Sequence, residues 1–307
     1  MIFTAGLSAP EGPVALPDGT WLVVEGGPER GCVTHISADG KTTRVIKQTG
    51  RPNGLAVDSQ GYIWVAESKV PSLLRVSMDG KSEVVATDCD GEKFLFPNDL
   101  CFGPDGALYL TDSGINIAEF APENRPRDDY ASLKYDGRVY RIDVGSGTVT
   151  KIDTGILFTN GIAFGPDDLL YANETITGNI YYYGLKDGAI AGPRKRFGNV
   201  IDPSAPSGFK GPDGMAFSTD GNLYVAVFGQ QDVTILQRDG KVASRIKTAG
   251  TLPTNLAFAL PGKKQIHVTE YQLGQVETFA VPSDGLPLWP GKKKETAWYP
   301  QVSTSSR

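Results

Sequence analysis

Six copies of one phrase, spaced at about the length of a propeller blade and followed by paired turns, predict an all-β chain: a six-bladed β-propeller with four-stranded blades. The copies are EGPVALPDG from Glu11, PNGLAVDSQG from Pro52, PNDLCFGPDG from Pro97, TNGIAFGPDD from Thr159, PDGMAFSTDG from Pro212 and TNLAFALPG from Thr254. Aligned on their polar residue, they bring Glu11, Asn53, Asn98, Asn160, Asp213 and Asn255 into register, at intervals, by subtraction, of 42, 45, 62, 53 and 42 residues. Helical periodicity is nowhere sustained.

Each copy starts with a short apolar stretch that reads as the innermost strand of a blade. A Pro/Asp/Gly turn follows, then a second strand such as YIWVAE, ALYLTD or NLYVAV, rich in aromatic and β-branched residues. A further turn comes later in the unit, at Asp39-Gly40, Asp79-Gly80, Asp187-Gly188, Asp239-Gly240 and Asp284-Gly285, with Gly145-Ser146-Gly147 serving in the third. Asp-Gly tolerates the positive φ of a tight hairpin, so both turns read as hairpin ends and each unit holds four strands. The polar pivot opens the innermost strand, and the chain returns to that same face after the first hairpin. Two long connections, 114–135 in the third unit and 198–211 before the fifth, therefore lie on the pivot face. Long loops on one face and tight turns on the other place a ligand entrance above the pivots.

At 307 residues, with 40% hydrophobic and 21% charged content, the chain suits one large repeat-built domain. That domain is expected over 1–290, with 291–307, including Lys292 to Lys294, as a polar C-terminal tail. A net charge of −5 and the lack of any basic run interleaved with aromatics argue against nucleic acid as a partner. No stretch approaches a membrane span, so no membrane association and a cytoplasmic location are expected. Cys32, Cys89 and Cys101 lack CxxC spacing and suggest neither a disulfide framework nor a zinc knuckle.

Propeller pseudo-symmetry turns all six pivots toward the central channel. Two acids and four amides crowded there point to a bound cation, because buried oxygens without donors are costly and a cation offsets the repulsion between Glu11 and Asp213. Only His35 and His267 exist in the chain, which excludes a histidine-rich site and favours hard cations. One divalent cation is expected, with Ca²⁺ favoured and Mg²⁺, Mn²⁺ or Zn²⁺ compatible. Fourteen residues after the pivots, Glu25, Glu67, Asp112 and Glu174 end the second strands, with Val227 breaking the pattern in the fifth unit; hydrogen bonding to backbone or to neighbouring blades is their expected role. The acidic stretch from Asp88 to Glu92 lacks EF-hand spacing and reads as a turn. His267, inside QIHVTE, reads as a packed structural residue, and no nucleophile elbow is present.

The phrases EGPVALPDG, PNGLAVDSQGYIWVAE, FPNDLCFGPDGALYLTD, FTNGIAFGPDDLLYANE and PDGMAFSTDGNLYV resemble the gluconolactonase and regucalcin-like (senescence marker protein) family, from about Ser8 to Val281. The resemblance implies one divalent cation held by a Glu of EGP, an Asn of PND, an Asn of TNG and an Asp of PDG. In this chain these are Glu11, Asn98, Asn160 and Asp213. The implied activity is metal-dependent opening of a sugar or related small lactone by attack of water. Asp213 is the expected proton acceptor, a second duty that the resemblance gives it, and Asp99 is the reserve. Where some members carry an arginine that holds a sugar-lactone hydroxyl, this chain has Phe96 and Pro97, which points away from a strongly polar substrate. Phe96, Asn53, Asn116 and Glu67 are the candidate substrate contacts. Phe94, Phe96, Phe120, Phe158, Phe209 and Phe228 flank pivots or mouth loops, which suggests a partly apolar pocket or packing between blades. The alternatives are a phosphotriesterase or esterase of the same fold, or a non-enzymatic calcium-binding propeller.

Overall fold

The computed structural model describes residues 1–290; the expected polar tail, 291–307, lies outside the described residues. Within them the chain forms six four-stranded antiparallel sheets. Blade 1 comprises Pro10–Ala15, Trp21–Glu25, Cys32–Ile36 and Thr43–Gln48, from the axis outward. Blade 2 follows the same order with Pro52–Val57, Ile63–Glu67, Ser72–Val76 and Ser82–Ala86. Blade 3 has Pro97–Phe102, Leu108–Asp112, Gly137–Ile142 and Val149–Ile156, and blade 4 has Thr159–Phe164, Leu170–Glu174, Asn179–Tyr183 and Lys195–Asn199. Blade 5 is Gly211–Phe217, Leu223–Phe228, Asp232–Leu236 and Val242–Lys247. The architecture is the six-bladed propeller that the repeats predict.

Blade 6 differs from the expectation. Its first three strands, Pro253–Phe258, Gln265–Glu270 and Gln275–Ala280, are followed by the Asp284-Gly285 turn, but no fourth strand comes after it within the described residues. The outermost position is filled instead by Ile2–Ala5 from the other end of the chain, with Ile2 paired to Glu277 and Ala5 to Gln275. Asp284 instead caps a turn, accepting from the Gly262 and Lys264 amides at 3.0 and 3.1 Å. Residues Leu286 to Trp289 then pass beneath the propeller, where they and all six inner strands line a cavity of about 140 Å³.

The hydrophobic core is divided among the interfaces between blades. Leu108 and Leu110 pack toward blade 2, with Trp64, Ala66 and Leu73, while Tyr109 between them packs toward blade 4, with Ile162, Phe164 and Leu170. A strand covered on both faces has no polar side, which explains why the second strands read as nearly continuous apolar runs. His267 belongs to this packing: its ring stacks on Trp21 with centroids 4.1 Å apart, and burial lowers its pKa to about 4. The Asp88–Glu92 stretch is a two-residue hairpin in which Asp88 pairs with Lys93 at 2.8 Å. No helix among the described residues is long and apolar enough to cross a membrane.

Candidate functional site

A shared irregularity at the start of each inner strand builds the axial ring. In blade 3, Pro97 pairs with Asp112 and Leu100 with Leu110, which leaves two residues, Asn98 and Asp99, opposite Thr111 alone. Such a bulge bends the strand and turns a side chain off the sheet. The pivot is the residue after the one paired with the acid that ends the second strand or, in blade 5, with Val227, one residue short of the strand end. The pairs Pro10–Glu25, Pro52–Glu67, Pro97–Asp112, Thr159–Glu174 and Pro212–Val227 thus give Glu11, Asn53, Asn98, Asn160 and Asp213.

Blade 6 corrects the sequence alignment. Pro253 pairs with Glu270, so the sixth pivot is Thr254, not Asn255. The sixth copy reads TNL where the others keep one residue between pivot and apolar strand, as in NGL. Asn255 belongs to the level below, with Gly12, Gly54, Asp99, Gly161 and Gly214. Glycine prevails at that level because inner strands converge on the axis: a Cβ on Gly54 would stand 2.8 Å from the Asn98 carbonyl oxygen, and one on Gly161 would collide with that of Asp213. Asp99 and Asn255 carry the side chains at this level, and both line the lower cavity.

The acids ending the second strands aim the pivots. Glu67 accepts from the Arg51 amide at 2.7 Å, Asp112 from Leu95 and Phe96 at 2.7 and 3.1 Å, Glu174 from Leu157 at 2.8 Å and Glu270 from Leu252 at 2.9 Å. Each donor stands two or three residues before its pivot, so each carboxylate pins the turn that delivers the pivot to the axis. The residues that follow these acids add a further constraint that the sequence reading missed. Asn98 Nδ2 donates to Ser113 Oγ at 2.9 Å and Asn160 Nδ2 to Thr175 Oγ1 at 3.3 Å. Those hydroxyls donate onward to the Thr159 and Pro212 carbonyls of the next blade, at 3.0 and 2.8 Å. With their nitrogens held this way, both amides direct their oxygens away from the blade edge. The repeated acid-hydroxyl pairs Glu67-Ser68, Asp112-Ser113 and Glu174-Thr175 were the available sequence signal.

At the floor, Glu11 Oε1, Asn160 Oδ1 and Asp213 Oδ1 are buried with no hydrogen-bond partner, while Asn98 Oδ1 accepts from Asn53 Nδ2 at 3.0 Å. Burial raises the pKa of Glu11 well above the carboxylate range, and the nearby charges of Asp213 and Asp99 raise it further. Burial does the same to Asp213, again reinforced by Asp99, and burial pushes Asp99 up to about 7. An unpaired buried acceptor costs about 1–3 kcal/mol, so this floor is expensive as protein alone. Among the described residues no cluster of three or more His, Cys, Asp or Glu side chains forms, so a cation here would draw on amide oxygens as well. An all-oxygen set of two acids and two amides fits a hard divalent ion.

Above the floor opens a cavity of about 550 Å³, lined by Glu11, Asn53, Asn98, Asn160, Asp213 and Thr254. Its wall is aromatic: Phe158 packs against Phe96 and Phe120, with centroids 5.8 and 4.6 Å apart, and Phe209 against Phe120 and Phe228 at 5.3 and 5.7 Å. Phe94 instead packs within the core between blades 2 and 3. The two long mouth loops meet over the cavity, where Tyr130 packs on Phe209 at 5.0 Å and donates to the Gly208 carbonyl at 3.2 Å. Of the candidate substrate contacts, Phe96 and Asn53 line the cavity, whereas Glu67 and Asn116 do not. Asn116 precedes the short helix Ile117–Phe120, and its carbonyl accepts from the Glu119 and Phe120 amides at 2.9 and 3.0 Å. Arg51, which sequence reasoning passed over, lines the cavity beside Glu11.

The family described as SMP-30/Gluconolactonase/LRE-like region matches residues 74–272. The chain belongs to that family. Among the relatives of this chain, the diisopropyl-fluorophosphatase of Loligo vulgaris is 30% identical over 301 residues, covering 92% of each protein. The gluconolactonase of Zymomonas mobilis is 26% identical over 287 residues, 87% of this chain and 78% of that one. The fold of this chain matches that of a calcium-binding regucalcin from Agrobacterium tumefaciens, with a TM-score of 0.73 at 19% identity over 92% of this chain and 93% of that one.

Proposed function

We propose that this protein is a divalent-metal-dependent hydrolase that opens a small lactone of partly apolar character. The observation that carries the reading is the set of unpartnered buried oxygens on Glu11, Asn160 and Asp213 at the floor of one aromatic-walled cavity. Glu11, Asn98, Asn160 and Asp213 would hold the cation, with Ca²⁺ favoured for an all-oxygen set. When bound, such an ion supplies Lewis-acid polarisation of a substrate carbonyl or phosphoryl oxygen.

The chain's own groups do the rest. Asp213 faces the cavity with a free oxygen and is placed to take the proton of an attacking water. Asp99 lies one level lower, on the other side of the ring, and its charge acts on Asp213 and Glu11 from there. Phe96, Phe158 and Phe228 exclude water and hold the apolar part of the substrate. A second reading, hydrolysis of a phosphorus ester, is favoured by the aromatic wall and by the 92% coverage of the Loligo vulgaris diisopropyl-fluorophosphatase.

The test is proton release by chelator-stripped protein on a panel of sugar, alkyl and aryl lactones and a phosphotriester, with each divalent cation restored in turn. Turnover of a lactone should return with one cation and fall by at least about a thousandfold in Asp213→Asn. Turnover of the phosphotriester alone would select the second reading, and no turnover with any cation would reject both.

A further inference from the structure

The cavity contains a guanidinium that forms no ion pair with a carboxylate among the described residues, although its charge reaches Glu11. Arg51 stands two residues before Asn53, just as Phe96 stands two residues before Asn98, and its guanidinium carbon lies 5.4 Å from the centre of the Phe96 ring. The backbone at Arg51 is fixed on both sides: its amide donates to Glu67 at 2.7 Å, and its carbonyl accepts from the Ser68 amide and hydroxyl at 3.0 and 2.8 Å. The side chain donates once, from Nη1 to Ser68 Oγ at 3.1 Å. The other arginines lining the cavity are paired, Arg125 with Asp128 at 3.7 Å and Arg127 with Asp129 at 2.6 Å. Among the described residues Arg51 makes no ion pair, so the remaining edge of its fork has charge and donors to offer.

We propose that Arg51 determines specificity by selecting substrates that bear a carboxylate close to the scissile ester or lactone, with an aromatic or branched apolar body against Phe96, Phe158 and Phe228. The inference rests on the hydrolase reading of the site and names the substrate class within it. A carboxylate matches the guanidinium fork with two parallel hydrogen bonds and neutralises it, whereas a hydroxyl supplies one acceptor and no charge. The half-buried setting against an aromatic face strengthens that pairing relative to water. Phe96, in turn, presents its ring to the guanidinium and lines the cavity beside it.

The experiment measures binding as well as turnover. Calorimetry on calcium-loaded protein compares 3-phenylpropionate with 3-phenylpropan-1-ol, for wild type, Arg51→Gln and Arg51→Met; the Met variant keeps an apolar stem over Phe96 should the Gln variant fail to fold. The acid-to-alcohol affinity ratio should fall about tenfold or more in the variants, and the kcat/KM ratio of a carboxylated dihydrocoumarin to dihydrocoumarin should fall with it. An unchanged affinity ratio in a folded variant overturns the proposal, since the carboxylate then binds elsewhere. Failure of the hydrolase reading looks different: no lactone is turned over by wild type, while the binding ratio still responds to Arg51.

Discussion

Ser113 and Thr175 hold the amide nitrogens of Asn98 and Asn160, the two amides proposed as cation ligands. Each takes the amide nitrogen of an asparagine, Asn98 or Asn160, and passes its own proton to a carbonyl of the next blade. Removing that acceptor frees the amide to rotate and present a nitrogen where an oxygen is needed. Ser113→Ala or Thr175→Val should therefore weaken calcium binding about tenfold while every proposed ligand stays in place, as measured by titration calorimetry. Unchanged affinity in both variants would mean that the amides are oriented by something else. At this scale the sequence was legible where a residue recurs in a repeat, as Glu11, Asn53, Asn98, Asn160 and Asp213 do. It misled at Asn255, because an asparagine one place late looks like a pivot until the pairing of Leu256 with Val268 shows the register. Arg51 and the two hydroxyls were passed over because their importance comes from what lies across the fold from them.

The strands themselves were readable, four to a blade, because both hairpin turns carry their own chemistry and the intervening runs are apolar on both faces. The closure of the ring was not. The pairing of Ile2–Ala5 with Gln275–Ala280 joins the two ends of the described chain, and no local pattern encodes a partner that distant. Its backbone bonds include Thr278 N to the Met1 carbonyl at 2.8 Å and Leu7 N to the Gly274 carbonyl at 2.9 Å. Without this strand, Gln275–Ala280 becomes an exposed edge and Phe3 no longer covers Trp21 and His267. Deleting residues 1–6 should lower the melting temperature by about 10 °C or more, read by circular dichroism, and a shift under about 2 °C would show that ring closure adds little. The mouth loops were located in sequence by their length alone; their contact through Tyr130 and Phe209 was not foreseeable.

Across the whole molecule, the six blades converge on a funnel. Residues Leu286 to Trp289 lie at its lower end, the aromatic wall surrounds the upper mouth, and the unpaired oxygens of Glu11, Asn160 and Asp213 lie between. Blade number and the position of the mouth followed from the repeat, and membership of the family followed from the motifs. The chemistry of the pocket did not, because it depends on side chains that separate blades bring together. The central claim is that the floor exists to hold one divalent cation. Calcium titration into metal-stripped protein tests it most directly, with the metal-free Asp213→Asn variant as partner. One Ca²⁺ should bind per wild-type chain with a rise in melting temperature, and neither should be seen in Asp213→Asn, which itself should melt no lower than metal-free wild type because a buried, repelled carboxylate has been removed. No binding by wild type, or equal binding by the variant, would contradict it.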